Sequence, residues 1–247
     1  MISSKHVLSD NLFSRVKYVY KRDGFNHLIR SSVLYVIAMC FTSPFYNTFR
    51  SSETFQFQGN QYHYLFHPYC STWKNERCAI VPIACEMVKK YQEQNKRILE
   101  VGNVISHIYH FNHDVLDKYE IVGGIINEDV VDFEPSKEYD LIFSIITLQH
   151  VGWNESPRYP KKILKAIENL RKILAPHGQI IIFHGLGENK QMDEFLKNGT
   201  LKFDKEFYLM KISNYRWKEV NWDDVKNLEY DYSTPTANGV VIGIIEK

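Results

Sequence analysis

This chain is short of the features that would give it away by bulk property. Thirty basic residues face 29 acidic ones in a length of 247, so no global field exists to wrap a polyanion, and nucleic acid is not an expected partner. Cysteine is sparse: Cys40, Cys70, Cys78 and Cys85 are the four. The opening Met-Ile-Ser-Ser-Lys-His lacks an apolar stretch and a small-residue cleavage site, so the expectation is a cytoplasmic chain with free thiols. His63, His67, Cys70 and Cys78 crowd together in sequence. Their spacing matches no compact Cys-x-x-Cys pair, and no metal site is expected. The longest apolar run, Val33 to Phe41, is far below the roughly twenty residues needed to cross a bilayer. Internal repeats and low-complexity tracts are absent as well, which excludes solenoids and disordered tails.

What is present is an ordinary globular composition, 44% hydrophobic and 24% charged, in a chain long enough to bury one elaborated core. Three segments are expected: a helical extension over 1–50, a β-hairpin with a connecting helix over 51–92, and an α/β domain over 93–247. Residues 10–43 have helical spacing broken near Asp23-Gly24, predicting two helices that end before Pro44. Arg15, Lys17, Lys21, Arg22 and Arg30 there accompany Phe13, Val16, Tyr20, Phe25 and Leu28. Such a helix either lies in a lipid headgroup region or packs its apolar side on the sheet or another subunit. The period then shortens: Thr54 to Gln58 and Gln61 to Phe66 alternate around Gly59-Asn60, a hairpin signature. Val81 to Tyr91 returns to helical spacing, with Pro82 read as a first-turn residue.

Three short apolar strands follow: Arg97 to Gly102, His113 to Asp117 and Tyr139 to Ser144. In an open parallel sheet the loops leaving central strands converge on one crevice, so Glu100, Gly102, Asp117 and Ser144 are expected to face a common ligand. A helix over Lys161 to Leu174 is stopped by Ala175-Pro176-His177-Gly178, and Gln179 to Phe183 has the continuous apolar character of a central strand. Phe207 to Ile212 and Gly239 to Ile245 supply the last strands. A dinucleotide fold is disfavoured, because the Gly-x-Gly-x-x-Gly turn would be represented by its first glycine alone.

The order of strand with Glu-x-Gly, strand with terminal Asp, Asn127-Glu128-Asp129, and strand followed by Thr147-Leu148-Gln149-His150-Val151 resembles the class I S-adenosylmethionine-dependent methyltransferases. The similarity runs from about Lys96 to Lys247. It is closest to a group of small microbial methyltransferase-like proteins with a segment like Thr72-Trp73-Lys74-Asn75-Glu76-Arg77 upstream, often associated with glycan biosynthesis. The resemblance implies a Rossmann-like, mostly parallel sheet with its last strand antiparallel, S-adenosyl-L-methionine as cofactor, and a glycan-related or small polar acceptor. It places Glu100, Gly102 and Asn103 near the methionine part, Asp117 on the ribose hydroxyls, Asp129 and Val130 at the adenine, and Ser144 and Ile145 in the closing loop.

Two departures from the family pattern stand out. Gly102 is followed by Asn103-Val104-Ile105-Ser106-His107 instead of further glycines, and the interval to His113 is too short for a full first helix. Gln149 stands where relatives tend to have Glu. These motivate an alternative, a noncatalytic scaffold docking a membrane or glycan-assembly partner, with self-association left open. Methyl transfer to a hydroxyl needs alignment and removal of a proton. His150 and His184, each at a strand end, are the candidate bases, ahead of His107 and His113. Tyr69, Trp73, Asn75, Glu76 and Arg77 offer aromatic faces and planar hydrogen-bonding groups for an acceptor, or a structural ion pair.

Overall fold

A computed structural model describes Val33 and residues 36–247. The expectations for residues 10–32 fall outside the described residues. A π-helical turn at Ala38–Thr42 runs into α1 (Ser43–Phe49). The helix does not end before Pro44, because Pro44 sits in the first turn of α1, where its missing N–H costs nothing.

The hairpin pairs β1 (Thr54–Phe57) with β2 (Asn60–His63), Phe57 opposite Asn60. The turn is therefore Gln58-Gly59, one residue earlier than expected, with both residues at positive φ (49° and 73°). That is the primed geometry matching the twist of the flanking strands. Gln58 is held there by Glu219, whose carboxylate accepts its amide N–H at 2.8 Å.

Helix α2 (Arg77–Glu93) begins four residues before Val81, which puts Pro82 inside it. Proline cannot bond the carbonyl four residues back. Cys78 O accepts the amide of Leu65 instead, at 2.9 Å, so the vacant acceptor stitches the helix to the chain after the hairpin.

The main sheet contains β3 (Ile98–Val101), β4 (Asp114–Leu116), β5 (Ile125–Ile126), β6 (Tyr139–Ile145), β7 (Leu174–Gly185), β8 (Lys205–Ser213), β9 (Arg216–Val220) and β10 (Gly239–Glu246). Helices α3 (Lys162–Lys172) and α4 (Lys190–Lys197) flank β7 in sequence, and the short α5 (Trp222–Val225) follows β9. The order is β5-β4-β3-β6-β7-β10-β8-β9. Strands β3 to β7 pair in parallel, while β10 runs antiparallel between β7 and β8. This is the mostly parallel sheet with an antiparallel last strand that the resemblance implies. Strand β9, paired antiparallel to β8, was not read from the sequence.

Alternation sorts the strand side chains into two layers. Ile98, Leu141, Phe143, Ile181 and Phe183 pack with α2 residues and the hairpin's Phe55 and Phe57. Leu99, Val101, Ile142, Ile180 and Ile182 pack on the other face with Ile163, Ile167 and Leu170 of α3 and Met192 and Phe195 of α4. Each such fully buried side chain is worth about 1.5–3 kcal/mol. With both faces covered, the strands read as continuous apolar runs, and their carboxyl ends are left to form a site.

Candidate functional site

A cavity of about 670 Å³ opens at the carboxyl ends of β3, β4 and β6. This is where strand order reverses, since β3 continues in sequence to β4 on one side and pairs with β6 on the other. Gly102, Asp117, Asp129, Val130, Thr147 and His150 are among its lining residues, and its size suits a cofactor-sized ligand.

Gly102 adopts φ +90°, and a Cβ built on it would collide with Thr147 Oγ1. Only glycine lets the turn after β3 pass this close to the turn after β6. The residues that follow do not crowd the hollow: none of Asn103, Val104, Ile105 or Ser106 lines it. Val104 and Ile105 are instead buried in the core beneath α2. In keeping with the short interval to His113, the chain after Gly102 makes a 3-10 turn at Ile105–His107 instead of a full helix.

Glu100 explains that path, and its role differs from the expected one. Alternation points it to the α2 face, where it is fully buried and does not line the cavity. Its Oε1 accepts the amides of Val104 and Ile105 at 2.8 Å each, and its Oε2 lies 2.9 Å from His113 Nε2. A carboxylate thus shapes the turn after β3. Asn103, 7% exposed, also faces inward: its Oδ1 accepts from Ser106 Oγ and its carbonyl accepts from Tyr69 at 3.1 Å.

Asp117 is placed differently. Its Oδ1 accepts the amides of Tyr119 and Glu120 at 2.8 Å each, while Oδ2 has no hydrogen-bond partner among the described residues. The residue lies on the cavity wall. At the far rim, Asp129 Oδ2 accepts from Lys118 Nζ at 2.7 Å and from Lys162 Nζ at 2.6 Å, and Lys162 also bonds Glu155 at 2.8 Å. Burial opposes ionisation of Asp129, but the two ammonium groups outweigh it and hold the carboxyl below its usual range. That carboxylate is committed to the rim, so Val130 beside it is the better surface for a planar base.

Ser144 and Ile145 do not reach the cavity. Ser144 Oγ donates to Val101 O at 3.0 Å and accepts Leu148 N–H at 3.2 Å, tying β6 to β3, and Ile145 is core. The turn that does line the cavity starts two residues later. Ile146 there takes φ +51°, an unusual conformation for a β-branched residue that costs about 1–3 kcal/mol and delivers Thr147 and His150 to the wall.

The two candidate bases separate. His150 lines the cavity, with Nδ1 2.9 Å from the Asn154 amide nitrogen. Burial pushes its basicity below the ordinary imidazole value, with Glu188 partly opposing. His184, 1% exposed, is locked into the core: Nδ1 lies 3.1 Å from Gln149 Oε1 and Nε2 lies 2.8 Å from Asp193 Oδ1. It fastens β7 to α4. Gln149 is equally structural, accepting Gly185 N–H at 2.9 Å and donating to Glu188.

Of the upstream group, Trp73 is 4% exposed and stacks against Tyr46. Asn75 donates to Cys70 O at 2.7 Å and accepts the Arg77 amide at 3.1 Å. Glu76, 2% exposed, accepts from Thr236 Oγ1 and from the Ala237 amide at 3.1 Å each, anchoring the approach to β10. These three are architectural. Tyr69 stacks on His107 at 4.2 Å between centroids, covering the turn after β3. Arg77 donates to Glu76 at 3.2 Å, but its buried Nε has no partner among the described residues. Burial works against its charge, yet Glu76, with Cys70, Tyr69 and Tyr230 adding to it, more than compensates and holds the guanidinium firmly protonated. Glu188 and Arg77 act electrostatically on His150 and, separately, on Tyr230. Tyr230 and Glu188 went unnoticed in the sequence; Gly187, whose φ of +89° brings the backbone against Tyr230, is the only local trace of that approach. Lys118, Lys162 and Glu155 were also missed, since salt-bridge partners separated in sequence leave no spacing signal, as was Asn154 beside His150.

The four cysteines form no disulfide, and Cys85 is pushed up to about 12 by burial. Among the described residues no cluster of metal-ligating side chains occurs and no helix is long and apolar enough to cross a membrane.

No family profile matches the chain, and no curated protein matches it. Among solved structures, it is similar to N-methyltransferase NodS from Bradyrhizobium japonicum WM9 in complex with S-adenosyl-L-homocysteine, at 13% identity over 71% of this chain and 94% of that one, with a TM-score of 0.40. CalS10, an amino pentose methyltransferase from Micromonospora echinaspora, aligns at 12% identity over 60% and 65% of the two chains, TM-score 0.35. The sugar N-methyltransferase KedS8 from Streptoalloteichus sp. ATCC 53650 aligns at 10% identity over 74% and 94%, TM-score 0.36.

Proposed function

We propose that this chain is an S-adenosylmethionine-dependent methyltransferase acting on a glycan-related or small polar acceptor. The observation that carries the reading is the cavity at the strand-order reversal, bounded by a glycine at positive φ and by an aspartate with one carboxylate oxygen left over. A ligand with vicinal hydroxyls suits Asp117 Oδ2, and close backbone approach suits Gly102. Val130 and Leu116 supply apolar wall for a base. When bound, S-adenosylmethionine supplies an electrophilic methyl group on a sulfonium.

The remaining work falls to the chain. An in-line displacement depends on holding the acceptor atom on axis, so positioning dominates. His150, neutral at neutral pH because burial disfavours its charged form, is suited to accept a proton from an acceptor hydroxyl or ammonium. Arg77, with a donor unspent, suits hydrogen bonding to a polar acceptor.

Titration calorimetry with S-adenosyl-L-homocysteine tests the first half, with saturable binding expected. Transfer of labelled methyl groups to a panel of amino sugars and hydroxylated glycosides tests the second. If neither S-adenosylmethionine nor its product binds at millimolar concentration, the transferase reading fails and the noncatalytic scaffold replaces it.

A further inference from the structure

The described part of the amino-terminal region leaves an apolar face in water. Val33, Ile37, Phe41, Phe45 and Phe49 recur every fourth residue, with Val36 alongside, and all are exposed, Phe41 to 70% and Phe49 to 67%. A four-residue interval keeps side chains on one face of a helix. The opposite side of α1 is fixed to the body: Tyr46 packs on Phe66, Trp73 and Tyr215, and Ser43 and Asn47 bond Phe66 O at 3.3 and 3.0 Å. The outward aromatics are therefore presented, not left over from a frayed end.

Charge is distributed to match. Residues 1–50 hold seven Lys and Arg against two Asp, and no acidic residue occurs between Asp23 and Glu53. The rest of the chain holds 23 basic against 27 acidic residues. A neutral total thus hides a basic amino-terminal segment on a mildly acidic body.

We propose that this face docks on the surface of a bilayer containing anionic lipid. Phenylalanine and aliphatic side chains at this spacing suit the boundary between headgroups and acyl chains, and clustered lysine and arginine suit anionic headgroups. The stripe lies on the membrane and does not span it. A second copy of the chain is a poorer occupant, because pairing the stripes would bring together two segments of like charge.

The test is sedimentation of the full chain with vesicles of phosphatidylcholine alone and of phosphatidylcholine with phosphatidylserine, for the wild type and for Phe41→Ser, Phe45→Ser and Phe49→Ser combined. These side chains are exposed, so circular dichroism is expected to be unchanged. The wild type is expected to partition about tenfold or more better onto the anionic vesicles, and the triple variant to lose about tenfold or more of that binding. A wild type that stays in the supernatant with anionic vesicles, or a triple variant that sediments equally well, overturns the proposal. So does a dimer that forms without lipid and is lost in the triple variant while vesicles are ignored, which would assign the face to a contact between copies.

Discussion

Two neighbouring strands end in carboxylates that chemistry would treat alike and the fold does not. Glu100 near the end of β3 has both oxygens spent on the protein itself, on the amides of Val104 and Ile105 and on His113. Asp117, just after β4, has one oxygen spent on its own turn and one left at the cavity. The difference follows from the pleat: Glu100 is inside the strand and must follow alternation into the α2 face, whereas Asp117 lies beyond the last paired residue, Leu116. An acid at a strand end is thus a ligand group only to the extent that the local backbone leaves it unoccupied.

The largest effect expected from this contrast belongs to Glu100. Glu100→Ala strands two buried amides and a buried imidazole, and each buried group left unsatisfied costs about 1–3 kcal/mol. Urea unfolding should show that loss in midpoint. A change below about 1 kcal/mol would mean that the turn after β3 holds itself, and the contrast with Asp117 would collapse.

Asp117→Asn should do the reverse. The amide oxygen still accepts from Tyr119 and Glu120, so stability should move little. A charge-assisted bond to the ribose hydroxyls is worth about 1.5–3 kcal/mol, or about ten- to more than a hundredfold in dissociation constant for S-adenosyl-L-homocysteine. Calorimetry of the variant separates the two acids: unchanged affinity would remove Asp117 from the site while leaving its turn intact.

What could be read in advance follows the same divide. Strands β3, β4, β6, β7 and β10 were legible because both faces are buried and their sequences run apolar. The hairpin was legible by alternation, with its turn off by one because Gln58, not Asn60, takes the left-handed position beside Gly59, where Glu219, 161 residues away, bonds its amide. Pro82 misled because a helix-breaking residue is tolerated when Leu65 takes up the carbonyl it vacates. At the site, the expected residues Gly102, Asp117, Asp129, Val130 and His150 do line the cavity. Glu100, Ser144 and His184 lie off the cavity with their polar atoms engaged inside the protein, because sequence order gives strand ends but not which oxygen or nitrogen is already engaged. The rim lysines, Tyr230 and Glu188 belong to tertiary juxtapositions that no local pattern encodes.

The smallest expected effect sharpens the contrast between the two histidines, His150 after β6 and His184 near the end of β7. Burial lowers the folded-state pKa of His150 beneath the unfolded value of about 6.5, so on acidification the unfolded chain takes up its proton first. Stability attributable to the neutral ring is complete above about pH 6.5 and is lost as pH falls through the folded value. The acid limb of kcat/KM should likewise lie below about pH 6.5 if this ring is the proton acceptor. His150→Gln should flatten both dependences with little change in stability at pH 7.5, as read by urea unfolding at pH 5.5 and 7.5 and by the rate profile. His184→Gln, which cuts the link from β7 to Asp193, should instead destabilise at both pH values. An unchanged acid limb in His150→Gln would assign the proton to another group and leave His150 as wall.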